Sequence, residues 1–278
     1  MDRAIRSWLY VPADRPELFE KALATEADAI VLDLEDAVAP DRKALARDHA
    51  AAFIDRFHGR PVVVRVNPLG AGGDVDVAAV ARSGLEAVRL AKAESEADVR
   101  TVAEMLRRAG VMAGVVPLLE SALAVERAYA LAIADPAVRG LAIGEFDLAT
   151  ALGGGEEALA WCRSRVAVAA AACGLPRPPQ GAYLDVRDLE GLRRDCFRGR
   201  AAGFFGRSAI HPGQVPVINE VYTPDEEDVR AARSLLDSVR VAHENGTGAW
   251  LDEHGRLVDA AAISRARATI DLARSVGS

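Results

Sequence analysis

The stretch Gly114-Val-Val-Pro-Leu-Leu-Glu120-Ser121 is an apolar run that ends in a carboxylate, just before a helical pattern begins. Runs rich in Val, Ile, Leu and Ala, without strict alternation, are typical of strands buried on both faces. The same unit recurs along the chain at a fairly regular spacing, as expected of repeated βα units. The predicted strands are Ser7 to Val11, Ala29 to Leu34, Val62 to Asn67, Ala87 to Ala91, Gly114 to Leu119, Gly140 to Gly144, Gln180 to Tyr183, and Gly203 to Ile210.

Eight such strands, the first seven each followed by a helical stretch, predict an α/β fold of the (β/α)8 type, a TIM barrel. The alternative is an open doubly wound sheet. In that fold the first βα turn commonly carries a glycine-rich phosphate loop, and Val11-Pro-Ala-Asp-Arg-Pro16 contains no glycine. The sequence therefore favours the barrel, with an active site at the carboxyl ends of its strands.

The last part of the chain predicts a lid made of a helix, a hairpin and a second helix. Thr223-Pro-Asp-Glu-Glu227 resembles a helix start, with a capping residue, an early proline and acids in the first turn. Residues 245–259 alternate around glycines like a hairpin, and Ala260 to Val276 predicts the last helix. We expect residues 1–222 to form the catalytic barrel. The segment 223–278 is too small for a core of its own and is expected to pack on a neighbouring subunit.

The composition argues against some classes of binding partner. The chain has 278 residues, 50% of them hydrophobic, and a formal net charge of -7, which repels nucleic acid phosphates. No apolar run reaches the roughly 20 residues that span a bilayer, and Met1-Asp-Arg3 does not begin a signal peptide. We therefore expect a cytoplasmic protein without nucleic acid or membrane partners. Three cysteines without a CxxC pair predict neither disulfides nor a zinc site.

Two carboxylates follow neighbouring predicted strands, Glu120 after the fifth and Asp147 after the sixth. Each alone precedes a helical stretch and could simply cap that helix. As a pair at one mouth they repel each other unless a cation lies between them. Carboxylates without cysteine or paired histidine ligands favour Mg2+ over Zn2+, so Glu120 and Asp147 are predicted to bind Mg2+. His211 is expected to be a hydrogen-bonded structural group.

Further charged residues end the predicted strands. Arg65 is a permanent cation in an apolar strand, so it is expected to meet an anionic substrate or, alternatively, acids in a structural ion pair. Asp33 is expected to form a salt bridge, whereas Glu35 and Asp36 are predicted to hold metal-bound waters. Lys92 is expected to pair with these acids rather than to form a Schiff base.

Together these residues resemble the citrate lyase beta-subunit-like family, which is related to malyl-CoA lyases and metal-dependent 2-keto-acid aldolases. The resemblance runs from Arg6 to the C-terminal helix, and the ordered set of motifs is more specific than any one of them. The motifs are Arg6-Ser-Trp-Leu-Tyr-Val-Pro12 with Lys21-Ala22, Ala27-Asp-Ala-Ile-Val-Leu-Asp-Leu-Glu-Asp-Ala-Val38, Val64-Arg-Val-Asn67, Pro117-Leu-Leu-Glu-Ser121, Asp147-Leu148 with Leu152-Gly153, Gly203-Phe-Phe-Gly206, and Ile210-His-Pro-Gly-Gln214.

The resemblance implies a barrel with a C-terminal lid, assembled as a homotrimer in which each lid reaches the neighbouring mouth. It implies that Glu120 and Asp147 bind Mg2+ and that Arg65 and Glu120 contact the substrate. It also implies that Asp259 of the lid takes part in proton transfer in the adjacent subunit. The sequence departs from the family pattern at Ala13, Ala91, Ser121, Glu145-Phe146 and Ala260-Ala261. None of these departures removes a predicted metal ligand.

The reaction implied is reversible carbon–carbon cleavage of a 3-hydroxyacyl thioester of the citryl, malyl or citramalyl type. The products are an acyl thioester and a 2-oxo acid, and the thiol carrier is coenzyme A or acyl carrier protein. Two alternatives stay open at this point. One is a pyruvate-type metal aldolase that acts on free aldehydes. The other is a non-catalytic or partner-dependent subunit that binds an acyl thioester.

Overall fold

The protein is described by a computed structural model that covers residues 4–57, 59–244, 250–251 and 257–276. The chain forms two compact units. One comprises Ile5–Tyr222, and the other contains residues 223–278 together with the first four residues. None of the described helices is long and apolar enough to cross a membrane.

The larger unit is built on a sheet of seven parallel strands, which hydrogen-bond in the order β6-β5-β4-β3-β2-β1-β7. Strands β1 to β6 lie side by side in chain order. The connection between each two of them therefore brings the chain back to the adjacent position in the sheet. The strands are β1 (Ser7–Pro12), β2 (Ala29–Asp33), β3 (Val62–Val66), β4 (Ala87–Leu90), β5 (Gly114–Leu119), β6 (Ala142–Ile143) and β7 (Arg207–Ala209).

In the described residues, ten α-helices connect and cover these strands. They are α1 (Phe19–Leu23), α2 (Lys43–Arg56), α3 (Gly73–Val80), α4 (Glu96–Arg108), α5 (Ala122–Glu126), α6 (Ala128–Ala132), α7 (Glu145–Leu152), α8 (Glu156–Ala172), α9 (Leu189–Ala201) and α10 (Val215–Tyr222). Successive side chains of a strand point to opposite faces of the sheet, so the buried side chains form two layers, one on each face. The large layer lies between the sheet and these helices, and a smaller inner layer includes Trp8, Ala29, Val63 and Val116.

The prediction of eight strands is corrected to seven in the described residues. The segment predicted as Gln180 to Tyr183 forms only an isolated bridge between Gln180 and Arg207. Pro178 and Pro179 precede it and have no amide hydrogens, so in that direction the segment can only accept, and the Pro178 carbonyl accepts the Phe205 amide at 3.0 Å without forming a regular ladder. Toward β6 the segment is held by a side chain instead, because the Gly181 amide donates to Glu145 Oε2 at 2.7 Å.

The smaller unit contains α11 (Glu226–Glu244), β8 (Trp250–Leu251), β9 (Leu257–Val258) and α12 (Ala260–Val276). The short strands pair antiparallel as the predicted hairpin requires, and residues 245–249 and 252–256 of that hairpin lie outside the described residues. The two helices share a small apolar core. The predicted cap Thr223 is corrected to Asp225, whose Oδ1 accepts the Asp228 amide at 2.7 Å.

Candidate functional site

The carboxyl ends of β2 to β5 lie next to one another at one end of the sheet. Asp33 at the end of β2 is the register partner of Arg65 on β3, and Arg65 is the partner of Arg89 on β4. Glu120 follows β5 directly. Parallel pairing therefore gathers charged side chains at the carboxyl ends of four adjacent strands, where (β/α)8 enzymes build their active sites.

Arg65 is held by two buried acids. Its Nε and Nη2 donate to the two carboxylate oxygens of Asp33 at 2.7 and 2.6 Å, and its Nη1 lies 3.0 Å from Glu35 Oε2. Burial alone would lower the pKa of Arg65, but the hydrogen bonds and charge of Asp33 outweigh it and raise that pKa. The predicted salt bridge of Asp33 is confirmed. Arg65 is thus a permanently charged group with a fixed orientation.

Glu120 is buried, with 5% of its surface exposed, among other acids. Burial raises the pKa of its carboxyl to about 7, and the charges of Glu35 and Asp147 add to that rise. Lys92 and Arg65 act in the opposite direction without cancelling it. A Cβ atom at Gly144 would lie 2.4 Å from Glu120 Cγ, so only glycine at position 144 leaves room for this side chain.

Lys92 contacts several of the acids at the carboxyl ends of the strands. Its backbone has φ 49°, the only positive value at a described non-glycine residue, and its amide donates to Glu120 Oε2 at 3.1 Å. Its ammonium group donates to Glu35 and lies 3.9 Å from Asp36 Oδ1 and 4.0 Å from Glu120 Oε2. The predicted ion pairing of Lys92 is confirmed. A strained backbone at such a position is typical of a functional site.

Asp147 lies in the first turn of α7 and is partly exposed. It is near enough to Glu120 for its charge to raise the pKa of that carboxyl. The helix that carries it is anchored by its first residue, Glu145, which accepts a hydrogen bond from Arg163 as well as from the Gly181 amide. Glu145 is therefore a buried structural acid that fixes where Asp147 stands.

The donors around Glu120 suit a hard divalent cation. Glu35 Oε2 is buried and accepts no aligned hydrogen bond, and the pKa of Glu120 is raised first by burial and then by the charge of Glu35. A cation beside Glu120 would favour its charged form. Within the described residues no three His, Cys, Asp or Glu side chains are preassembled as a metal cage. Mg2+ commonly binds with one or two protein carboxylates and completes its shell with water and substrate oxygens.

Three other residues singled out from the sequence, Asp36, His211 and Asp259, lie outside the buried cluster around Glu120. Asp36 is mostly exposed, with 65% of its side chain accessible. His211 Nδ1 accepts the Gly213 amide at 3.0 Å, so the predicted structural role of His211 is confirmed. Asp259 belongs to the smaller unit, where its Oδ1 accepts the Ala262 amide at 2.8 Å and caps α12.

Two residues at the mouth were not found from the sequence, Tyr10 on β1 and Arg89 on β4. The Arg89 guanidinium donates to the Tyr10 hydroxyl at 2.8 Å. A signal for Arg89 was available, because Val-Arg-Leu in the fourth strand repeats the Val-Arg-Val pattern around Arg65 in the third. The two arginines are register partners and belong to the same layer.

Comparison with known proteins identifies the family of the chain. Proteins described as HpcH/HpaI aldolase/citrate lyase match residues 6–212. The chain belongs to this family. The predicted resemblance to citrate lyase beta-like proteins is therefore confirmed. Members of the HpcH/HpaI family break or form carbon–carbon bonds, so the chain is an enzyme of the carbon–carbon lyase class.

Three relatives are similar over almost the whole chain. The (3S)-malyl-CoA thioesterase of Cereibacter sphaeroides is 34% identical over 278 residues, which cover 98% of this chain and 95% of the relative. L-malyl-CoA/beta-methylmalyl-CoA lyase of the same species is 33% identical over 307 residues, with 99% and 96% covered. A citrate lyase subunit beta-like protein of Mycobacterium tuberculosis is 36% identical over 272 residues, with 93% and 92% covered.

Solved structures of HpcH/HpaI relatives include the metal. CitE from Mycobacterium tuberculosis in complex with magnesium, acetoacetate and coenzyme A has 34% identity and a TM-score of 0.82, with 100% of both chains covered. The citrate lyase beta subunit of that organism with oxaloacetate and magnesium has 34% identity and a TM-score of 0.68, with 80% of this chain and 99% of that chain covered. The predicted cofactor, Mg2+, is thus the metal of the family.

The raised pKa of Glu120 predicts a pH-dependent metal affinity. Below pH 7 the carboxyl holds a proton that Mg2+ must displace, so the affinity is expected to fall about tenfold per pH unit there and to level off above pH 7. In metal-free protein the raised pKa favours folding at low pH, and this contribution is lost as pH rises from 4.5 to about 7. Titration calorimetry between pH 5.5 and 8.5 tests this expectation, and an affinity independent of pH would contradict it.

Proposed function

We propose that this HpcH/HpaI family member catalyses the Mg2+-dependent cleavage, or reverse condensation, of a 3-hydroxyacyl thioester of the citryl, malyl or citramalyl type. The products are an acyl thioester and a 2-oxo acid. The observation that carries the proposal is the buried cluster in which Glu120, Glu35 and Arg65 meet at the strand exits. The malyl-CoA lyase relative and the CitE complex with magnesium, acetoacetate and coenzyme A support this substrate class.

In this proposal Glu120 and Asp147 hold the metal, while Glu35 and Asp36 orient water around it. When bound, Mg2+ supplies a Lewis acid for the oxo-acid half of the substrate. Glu120 also contacts the substrate from its fixed position between the Lys92 amide and Gly144. The charge of Lys92 keeps the acid cluster from repelling an anionic substrate.

Arg65 is the residue that stabilises the charge formed during bond cleavage. The 3-hydroxyl of the substrate loses its proton to water and becomes the carbonyl of the 2-oxo acid as the carbon–carbon bond breaks. The electron pair of that bond passes into the enolate of the thioester half, and negative charge develops on the thioester oxygen. Asp33 engages Nε and Nη2 of Arg65 and fixes the plane of the guanidinium, while Nη1 lies 3.0 Å from Glu35 Oε2. The N–H groups of Nη1 and Nη2 that face neither acid are then available to that oxygen. Asp259 of a neighbouring subunit then gives a proton to the enolate carbon or removes it in the reverse direction.

We further propose the assembly in which this chemistry takes place. The segment around Gln180 completes a closed (β/α)8 barrel formed by residues 1–222, and residues 223–278 form a lid that packs on a neighbouring subunit of a homotrimer in the cytoplasm. The similarity to CitE over the full length of both chains supports a common fold of the single chain. Such a trimer brings Asp259 to the mouth of the adjacent barrel.

The role of Asp259 can be tested without disturbing its helix. Asn caps a helix as well as Asp does, so Asp259→Asn is expected to keep the stability and the Mg2+ affinity while kcat falls about 100-fold, as for loss of a general acid–base. The matched control is Asp225→Asn at the start of α11. Mixing Asp259→Asn and Glu120→Gln subunits is expected to restore part of the activity, and an unchanged rate in Asp259→Asn alone would remove this residue from the mechanism.

Product analysis tests the reaction. With Mg2+, malyl-, citramalyl- or citryl-CoA is expected to yield equal amounts of acetyl-CoA and glyoxylate, pyruvate or oxaloacetate. One relative is named a thioesterase, so free coenzyme A is measured in the same assay, and its release without a 2-oxo acid would contradict the proposal. Condensation of pyruvate with free aldehydes would instead support an aldolase. Turnover only after addition of an acyl carrier protein would support a partner-dependent subunit.

A further inference from the structure

Arg89 is a buried cation that has no acidic partner in the described part of the chain. Only 1% of its surface is exposed, and no Asp or Glu among the described residues lies within ion-pair distance. Its guanidinium carbon lies 5.0 Å from the Trp8 ring centroid and 5.6 Å from that of Tyr10. Cation–π contacts offset part of the cost of burying a charge. The Nε of Arg89 nevertheless has no hydrogen-bond partner in the described part of the chain.

The one side-chain hydrogen bond that Arg89 makes to a described residue determines how the Tyr10 hydroxyl can act. Arginine has donors only, so Tyr10 Oη must accept the bond from Arg89 Nη1. The hydroxyl hydrogen of Tyr10 then remains available for an acceptor elsewhere. No described residue supplies such an acceptor. Donation from a cation also polarises the hydroxyl and makes it a stronger donor.

Tyr10 borders the proposed active site. Its ring centroid lies 5.1 Å from the guanidinium carbon of Arg65, the residue proposed to stabilise the enolate. Unlike Trp8, which is buried two positions deeper in β1, Tyr10 is partly exposed. The hydrogen bond from Arg89 on β4 to Tyr10 on β1 therefore spans the inside of the sheet next to Arg65. Unsatisfied buried groups such as Arg89 Nε are rare and often accompany a functional demand.

We infer that the Tyr10 hydroxyl donates a hydrogen bond to an anionic oxygen of the bound substrate, and that Arg89 is the positioning residue that orients this hydroxyl. Tyr10 thus supplies a neutral donor beside the charged donor Arg65, two nitrogens of which are already engaged by Asp33. No covalent bond forms at Tyr10, and its proton stays on the phenol. The inference rests on the proposed function, because it assigns the hydroxyl to the substrate of that site.

The test compares Tyr10→Phe with wild type in two independent measurements. One is kcat and KM for the thioester that wild type cleaves. The other is the affinity for oxalate in the presence of Mg2+, because oxalate is a stable dianion that binds without turnover. Tyr10→Phe is expected to lower kcat/KM about 100-fold, as for loss of one oxyanion donor, with part of the loss in KM because the hydroxyl already binds the anionic oxygen of the substrate before the bond breaks. Oxalate affinity is expected to fall about tenfold, as for loss of one hydrogen bond to a charged group.

Arg89→Met tests the positioning role, since methionine is unbranched and fits irregular apolar space. Its loss of kcat/KM is expected to match that of Tyr10→Phe, and the double variant is expected to lose no more than either one, because the two residues act as a unit. Arg89→Lys is expected to recover part of the rate. Tyr129→Phe, at a surface position that is 47% exposed, is the matched control and is expected to behave like wild type.

The outcomes separate this inference from the proposed function. Wild-type kcat/KM and oxalate affinity in Tyr10→Phe would overturn the inference and leave the lyase proposal standing. Weakened oxalate binding in Tyr10→Phe, with no thioester cleaved by wild type, would overturn the lyase proposal and support Tyr10 as an anion donor. If Arg89→Met does not fold, Tyr10→Phe alone decides. Wild type that neither binds oxalate nor turns over would overturn both.

Discussion

Replacing Glu120 with Gln is expected to abolish Mg2+ binding and to lower kcat by about 1,000-fold or more. The bound metal is expected to provide several kcal/mol of transition-state stabilisation, and each ~1.4 kcal/mol corresponds to a factor of ten in rate. Glu120 is one of only two protein ligands in the proposed site, and an amide oxygen is a weaker ligand than a carboxylate. Calorimetry with Mg2+ and steady-state kinetics measure the two effects.

The fold of this variant is expected to survive. Burial among acids raises the pKa of Glu120 to about 7, so a neutral side chain of the same shape suits the metal-free site. The unfolding free energy of Glu120→Gln is therefore expected to equal or exceed that of metal-free wild type at pH 8. Glu157→Gln, at an exposed position of α8, is the matched control. Full activity of Glu120→Gln would rule out the proposed metal site.

The second large effect is expected at Arg65. Arg65→Met removes the donor that stabilises the enolate, and kcat is expected to fall at least about 100-fold. It also leaves Asp33 buried without its bidentate partner. Removing one partner of a buried pair costs about 3–5 kcal/mol of unfolding free energy. Chemical denaturation of the variant measures the loss of unfolding free energy, and steady-state kinetics of the same preparation measure the loss of kcat.

A double variant distinguishes catalysis from stability. Adding Asp33→Asn to Arg65→Met removes the uncompensated carboxylate, so much of the lost unfolding free energy is expected to return. The activity is expected to stay lost, because no group replaces the guanidinium. Arg82→Met breaks an exposed pair with Asp55 and is expected to cost no more than ~1 kcal/mol. Recovery of activity together with stability in the double variant would mean that Arg65 is structural only.

The sequence was most informative where a single strand decides the local geometry. Each apolar run from the first to the sixth predicted strand contains an observed strand, and the acids and arginine at their exits lie where the barrel rule places them. Glu120 and Arg65 were found this way because hydrophobic runs define strand ends well. The same rule placed Lys92 beside the acids, which the structure confirms.

The sequence was less informative where tertiary pairing decides the outcome. The segment after Pro178 and Pro179 is apolar enough for a strand, yet its ladder is limited to one bridge and it is anchored by Glu145 through Gly181. The link between Arg89 and Tyr10 joins residues 79 positions apart, and local pattern alone does not pair them. Asp33 and Arg65 could be recognised as charged strand residues, but their bidentate geometry depends on register.

The most direct test of the central claim is to locate the metal. Crystals soaked with Mn2+ as a substitute for Mg2+, together with a 2-oxo acid, are measured at a wavelength where manganese scatters anomalously. We predict one anomalous peak bound by the carboxylates of Glu120 and Asp147, with the oxo acid completing its coordination shell, and no such peak in Glu120→Gln. A peak at another site, or an unchanged peak in Glu120→Gln, would contradict the proposed metal site and the mechanism that depends on it.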